Sequence, residues 1–154
     1  MNPIRRYYVV PIVIAIGSII ATFGLGSSDT TPENTEPVFM GYNGQITRVI
    51  DGDTLWIDQT TIRLSLVNSP ERNERGYQEA KNFALTVCPI GVNAEFVVDT
   101  WQPVDKYGRS VGLVYCNDML LNELLLESGN AKISEYFCDK SEFGSEYWVI
   151  KYGC

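Results

Sequence analysis

Three short clusters in this chain place charge where an extended run breaks. In Asp51-Gly52-Asp53-Thr54, two carboxylates flank a glycine at the end of a β-branched stretch. Glycine permits a tight backbone path that turns both carboxylates toward one site, and hard oxygens of this type suit Ca2+ or Mg2+. Taken alone, the motif favours a plain surface turn. The second cluster begins at Arg63, within an apolar alternation, and continues through Asn68-Ser69-Pro70-Glu71. An arginine inside a strand needs an anionic partner, and its planar fork matches phosphate. The proline fixes an extended turn that presents Glu71, a position suited to a general base if a metal and a bound water lie beside it. An Arg63–Glu71 ion pair is the competing reading. The third cluster, Asp105-Lys106-Tyr107-Gly108-Arg109, turns at its glycine and delivers a second arginine to the next strand. That arginine can hold the same phosphate or simply belong to a charged loop. Together the clusters supply carboxylate ligands, a general base and two cations, a complementary set for phosphodiester hydrolysis.

Composition narrows the alternatives. The 154 residues include no histidine, which removes Ser-His-Asp and Cys-His hydrolysis, His-ligated zinc and every histidine base. The balance of 12 Lys and Arg against 19 Asp and Glu gives a net charge of −7. Such a balance opposes sequence-blind electrostatic binding to nucleic acid. Local placement of Arg63 and Arg109, with a divalent cation offsetting the carboxylates, overrides the bulk charge.

The elements that must position these groups follow from periodicity. Residues 44–50 (GQITRVI), 54–58 (TLWID) and 62–67 (IRLSLV) read as a three-stranded meander, with Ile62, Leu64 and Leu66 on one face and Arg63 and Ser65 on the other. A helix over 77–88 carries the stripe Ala80, Phe83, Ala84, Val87 and Cys88, and Pro89 ends it. Two more strands lie at 93–99 and 109–116. A second helix carries Leu120, Leu121, Leu124 and Leu125 and stops at Gly129. A third is signalled by Asp139-x-x-Glu142 as a capping box. Five strands with a helix between the third and fourth give the order of an α+β, five-stranded OB-fold barrel with three helices.

The first 26 residues are expected to stand apart from that domain. Arg5 and Arg6 precede residues 7–26, a run of 20 without charge, long enough as a helix to span about 30 Å of bilayer. Basic residues before the run and acidic ones after it place the N-terminus inside and the domain outside. The segment is a signal-anchor or, if cleaved, a signal peptide. Residues 27–40 form a polar linker, and 41–154 the folded domain. The expected location is the cell surface, membrane-anchored, or the medium if the leader is removed. Export places Cys88, Cys116, Cys138 and Cys154 in an oxidising compartment, where two disulfides are expected. Of three connectivities the favoured one is Cys88–Cys116 with Cys138–Cys154. The second bridge clamps a C-terminal helix through a loop worth about 3 kcal/mol.

Four motifs in order, VIDGDT (49–54), IRLSLVNSPE (62–71), GYQEA (76–80) and DKYGR (105–109), resemble the staphylococcal nuclease (thermonuclease) family, and LNELLLESGNAK (121–132) resembles its following helix and turn. The C-terminal tail resembles the ending of archaeal, exported members. The resemblance implies an OB-fold enzyme that uses one Ca2+ ion to hydrolyse DNA and RNA. Asp53 is implied as the metal carboxylate, with Asn68 and the Ser69 backbone carbonyl as further ligands and Asp51 and Thr54 in support. Arg63 and Arg109 are implied as phosphate-holding arginines, and Glu71 as the general base. Asn68 stands where the best-known member has Asp, so metal binding is expected to be weaker. The tyrosines used near the nucleotide correspond to Glu135 and Phe137, with Tyr136 between them. Base contact is expected through Phe137 and Tyr107, while Glu135 repels phosphate. A lysine-rich loop is replaced by Arg72-Asn73-Glu74-Arg75. A monomeric nuclease acting on DNA and/or RNA is thus expected. The rivals are a non-catalytic OB-fold module that binds nucleic acid or another surface ligand, and a purely structural disulfide-held domain.

Overall fold

The computed structural model describes residues 40–154. The apolar run at 7–26 and nearly all of the polar linker lie outside the described residues. Among the described residues, no helix is long and apolar enough to cross a membrane.

The first strand, β1 (Gly41–Val49), serves two neighbours. Its first half pairs antiparallel with β5 (Asn93–Val98), and its second half with β2 (Thr54–Ile57). A register shift between Ile46 and Arg48 separates the halves, a bulge of the kind that bends a strand around a barrel corner. From β2 the chain turns through Asp58-Gln59 into β3 (Thr60–Leu64). β5 then pairs with β6 (Ser110–Cys116), and β6 pairs parallel with β3 over Ile62–Leu64. That last ladder closes the ring β3-β2-β1-β5-β6 into a five-stranded barrel, which removes the unpaired edges an open sheet would carry.

Side-chain alternation fills the barrel. Ile46, Leu55, Ile57, Ile62, Leu64, Phe96 and Val114 are buried almost completely. Helix α1 (Tyr77–Val87) lays Ala80, Ala84 and Val87 on this core. Helix α2 (Leu121–Glu127) adds Leu121, Leu125 and Leu126 and ends, as expected, before Gly129 at φ 72°. The favoured disulfides both form: Cys88–Cys116 joins the end of α1 to β6, and Cys138–Cys154 closes the C-terminus.

Two expectations need correcting. The third strand does not run to residue 67. It ends at Leu64, because Ser65 turns inward and Leu66 takes φ 64°. The Ser65 hydroxyl donates to Asp99 at 2.7 Å, and its carbonyl accepts from Asn122 at 2.9 Å. Val67–Asn68 then forms a separate strand, β4, antiparallel to β8 (Lys132–Ile133); a short β7 (Met119–Leu120) leads into α2. Asp139 and Glu142 do not cap a helix either. Residues 135–137 and 142–145 form 3-10 turns, and α3 spans only Tyr147–Tyr152. Ser141 supplies the cap, accepting from Phe143 N. The Glu142 carboxylate is taken by Thr100 N, and Glu142 N donates to the buried Asp99. A tertiary partner thus outcompetes the local capping box.

Candidate active site

The Asp51–Thr54 turn is no plain surface turn. Gly52, Asp53 and Thr54 are buried, and a Cβ on Gly52 would stand 2.7 Å from Ser69 Cβ and 2.8 Å from Ala80 Cβ. Only glycine lets this turn press against both α1 and the segment after β4. The contact brings Asp53 to Ser69, whose backbone N–H donates to Asp53 Oδ2. Asp51 accepts from Asp53 N at 3.2 Å. Burial, and then the adjacent Asp53 charge, push the Asp51 carboxyl up to about 6.

Arg63 reaches across this turn from β3. Its Nη1 lies 3.1 Å from Asp53 Oδ1 and donates to the Val67 carbonyl at 2.6 Å and the Leu64 carbonyl at 3.1 Å. Its Nη2 donates to Asn68 Oδ1 at 3.3 Å. The early departure of the chain from β3 is what turns these carbonyls toward the guanidinium. The ion pair considered from sequence, Arg63 with Glu71, does not form; Asp53 takes the arginine instead.

The parallel β3–β6 ladder sets Ile62 opposite Ser110 and so carries Arg109 to the same region across 46 residues of sequence. Arg109 Nη2 and Nε each lie 2.7 Å from Asp105 Oδ2. Partial burial works against ionisation of Asp105, but the Arg109 N–H groups, Tyr107 N–H and the Arg109 charge outweigh it and hold the carboxyl below its usual range. Arg109 Nη1 also donates to Thr54 Oγ1 at 3.2 Å, and the Thr54 hydroxyl donates to Asp53 Oδ1 at 3.1 Å. Thr54 thereby couples both arginines through one carboxylate.

Arg63 and Arg109 line a cleft of about 500 Å³, together with Asn68, Tyr107, Tyr136 and Phe137. Cations and aromatic faces in one groove suit a ligand with phosphate and flat rings. Arg63, Asn68, Tyr107, Arg109 and Phe137 line the cleft, and hydrogen bonds and the Arg63–Asp53 ion pair join Asp53, Thr54, Asp51 and Ser69 to the two arginines behind it. Among the described residues, no hydrogen bond or ion pair joins Glu71 to this network. Glu71 is exposed and does not line the cleft, and its N–H donates to Glu74 Oε2 at 2.8 Å.

Tyr136 is the residue that reading by position undervalued. In a 3-10 turn successive side chains diverge by about 120°, and here Tyr136 and Phe137 reach the cleft while Glu135 does not line it. The expected repulsion by Glu135 therefore has no place at the cleft wall. A Tyr between two noted positions was the available signal.

The hard-oxygen donors around Arg63 are the Asp53 carboxylate, the Asn68 amide oxygen and the Leu64 and Val67 backbone carbonyls, with the Asp51 carboxylate hydrogen-bonded to Asp53 N. Among the described residues, no group of three or more His, Cys, Asp or Glu is arranged to hold a metal. The donor chemistry still fits a hard divalent cation, which takes neutral oxygens readily. In this structure the Arg63 guanidinium bridges Asp53 and Asn68, so a cation bound there competes with it for the same oxygens.

Sequence comparisons find similar proteins. An uncharacterized protein of Bacillus anthracis is 31% identical over 103 residues, covering 61% of this chain and 48% of that protein. A protein of Escherichia coli O157:H7 named an uncharacterized endonuclease is 30% identical over 100 residues, covering 62% and 63%. A thermonuclease of Staphylococcus intermedius is 27% identical over 136 residues, covering 81% and 79%. The chain thus spans about half to two-thirds of the length of the first two relatives. The staphylococcal nuclease homologue family matches residues 61–148, which include Arg63, Asn68, Glu71 and Arg109. With more than half of its length matched, this chain belongs to the staphylococcal nuclease family.

Proposed function

We propose that this protein is a Ca2+-dependent nuclease that hydrolyses phosphodiester bonds of DNA and/or RNA. The single observation that carries the reading is the hydrogen-bonded chain Arg63–Asp53–Thr54–Arg109 at one cleft. It brings two cations together in a chain whose net charge is −7, which supports a phosphate site there. Arg63 and Arg109 hold the non-bridging oxygens and offset the charge that grows on them as the bond breaks. Glu71 accepts a proton from the attacking water, and the 5′ oxygen leaves, so the product carries a 3′-phosphate. Asp53, Asn68 and the Ser69 carbonyl, supported by Asp51, are the residues that would hold one Ca2+. A bound ion would supply Lewis-acid charge stabilisation at the phosphate. Tyr107, Tyr136 and Phe137 offer flat surfaces for the adjoining bases or sugars. The uncharged run at 7–26 and the two disulfides support action at the cell surface or outside the cell.

Incubation of the full chain with single-stranded DNA and with RNA, each with Ca2+ or with chelator, tests this reading. Cleavage that needs Ca2+ and disappears in Glu71→Gln is expected; equal products from the variant would overturn it. A second reading, a non-catalytic module that binds nucleic acid or another ligand, is favoured by the position of Glu71 outside the cleft. It predicts binding that is indifferent to both chelator and Glu71→Gln.

A further inference from the structure

Asn68 lines not one cleft but two. The second, of about 550 Å³, is formed with Ser69, Pro70, Glu74, Arg75 and Lys132. Its placement follows from β4 and β8, whose register sets Asn68 directly opposite Lys132 and Val67 opposite Ile133. Val67 is buried and Asn68 exposed. Alternation therefore sends the second pair inward and leaves Asn68 and Lys132 side by side on the outer face, Cβ atoms about 5 Å apart.

Asn68 thus lines both clefts, with Arg63 on the first and Lys132 and Arg75 on the second. Arg63 Nη2 reaches Asn68 Oδ1, Lys132 stands across the ladder from Asn68, and Arg75 lines the same second cleft. Among the described residues only two ion pairs form, Arg63–Asp53 and Arg109–Asp105. Arg75 and Lys132 are thus cations without a carboxylate. The acid that lines the same cleft, Glu74, accepts from Glu71 N–H through one of its two oxygens. No aromatic side chain lines this cleft, in contrast to the first.

We propose that the second cleft is a backbone track for a nucleic-acid strand that continues past the scissile phosphate. Lys132 and Arg75 contact its successive phosphates, and Asn68 marks the crossing between the clefts. The first cleft holds bases against aromatic rings. The second, lacking rings, reads only the sugar-phosphate chain and carries no sequence preference. This inference rests on the reading of the first cleft as a nucleic-acid site.

The test compares binding of labelled oligothymidylates of about 3 and about 12 nucleotides by anisotropy, using the full chain with Glu71→Gln to prevent turnover. Arg75→Gln/Lys132→Gln is expected to weaken binding of the longer strand about tenfold and to narrow the gap between long and short strands. The slope of log K against log salt should fall by about 0.7 for each cation removed. Arg48→Gln/Lys151→Gln removes the same charge elsewhere and should leave that slope in place. An unchanged slope in the first pair, or an equal fall in both pairs, overturns the track. If binding depends on Arg75 and Lys132 but the parent chain cleaves neither DNA nor RNA, the track stands and the nuclease reading falls. If neither oligonucleotide binds the parent chain, both fall.

Discussion

The Asp51–Thr54 turn and the Glu71–Arg75 loop each carry two carboxylates and each follow a strand; the turn meets Ser69 by packing, and the loop begins two residues after it. Their physical situations are opposite. The turn is packed through Gly52 onto Ser69 and α1, and each of its two carboxylates accepts at least one hydrogen bond. Every residue from Glu71 to Arg75 is exposed, and the described hydrogen bonds there stay within the loop or reach the first turn of α1. Groups that hold charge in place are built on the barrel, where a displaced carboxylate would cost desolvation. The proposed base sits on a surface loop, where it can meet a substrate without perturbing the fold.

The largest expected contrast comes from Glu71→Gln. Cleavage should fall about 10²–10⁴-fold, the usual worth of a general base, while stability in urea stays within about 0.5 kcal/mol. Coupled loss of both would erase the distinction between the regions. Arg63→Ala should lower stability as well as cleavage. It strips the cation from a nearly buried Asp53 and is expected to cost about 3 kcal/mol, read as a lower urea midpoint at unchanged slope. Gly52→Ala is expected to cost about 1–3 kcal/mol, because the added methyl overlaps Ser69 and Ala80. An unaltered melting temperature would show that the turn is looser than its contacts imply.

The smallest effect concerns the Asp105–Arg109 pair. The folded-state carboxyl is held below its ordinary value, so its stabilisation is fully present above the unfolded value of 3.8 and is lost as pH falls through the folded value. For a partly exposed pair this amounts to less than about 1 kcal/mol. Asp105→Asn should remove that part of the acid limb in urea titrations between neutral pH and about 3, and an identical acid limb would sink the assignment.

Much of this was legible before any coordinates. Alternation gave the strands of the barrel and the i, i+3, i+4 stripe gave α1, because both depend on neighbours within one turn or one pleat. The cysteine pairing was also open to reading from spacing and compartment. The end of β3 was not. Its sequence alternates from Ile62 through Leu66, past the point where the strand ends, and the break comes from Asp99 and Asn122 capturing Ser65 from 34 and 57 residues away. The Asp139-x-x-Glu142 box misled for the same reason, since Thr100 and Asp99 claimed the Glu142 side chain and N–H.

The chain by itself determined which chemistries are open. Lacking histidine, it has carboxylates and arginines for hydrolysis, and its motifs place these at the ends of strands. Only the tertiary structure decided which of them meet. The β3–β6 ladder put Arg63 and Arg109 in one cleft, and the β4–β8 ladder set Lys132 beside Asn68. Pairings between residues dozens of positions apart follow from closing a barrel and burying its faces together, and local periodicity carries no record of them.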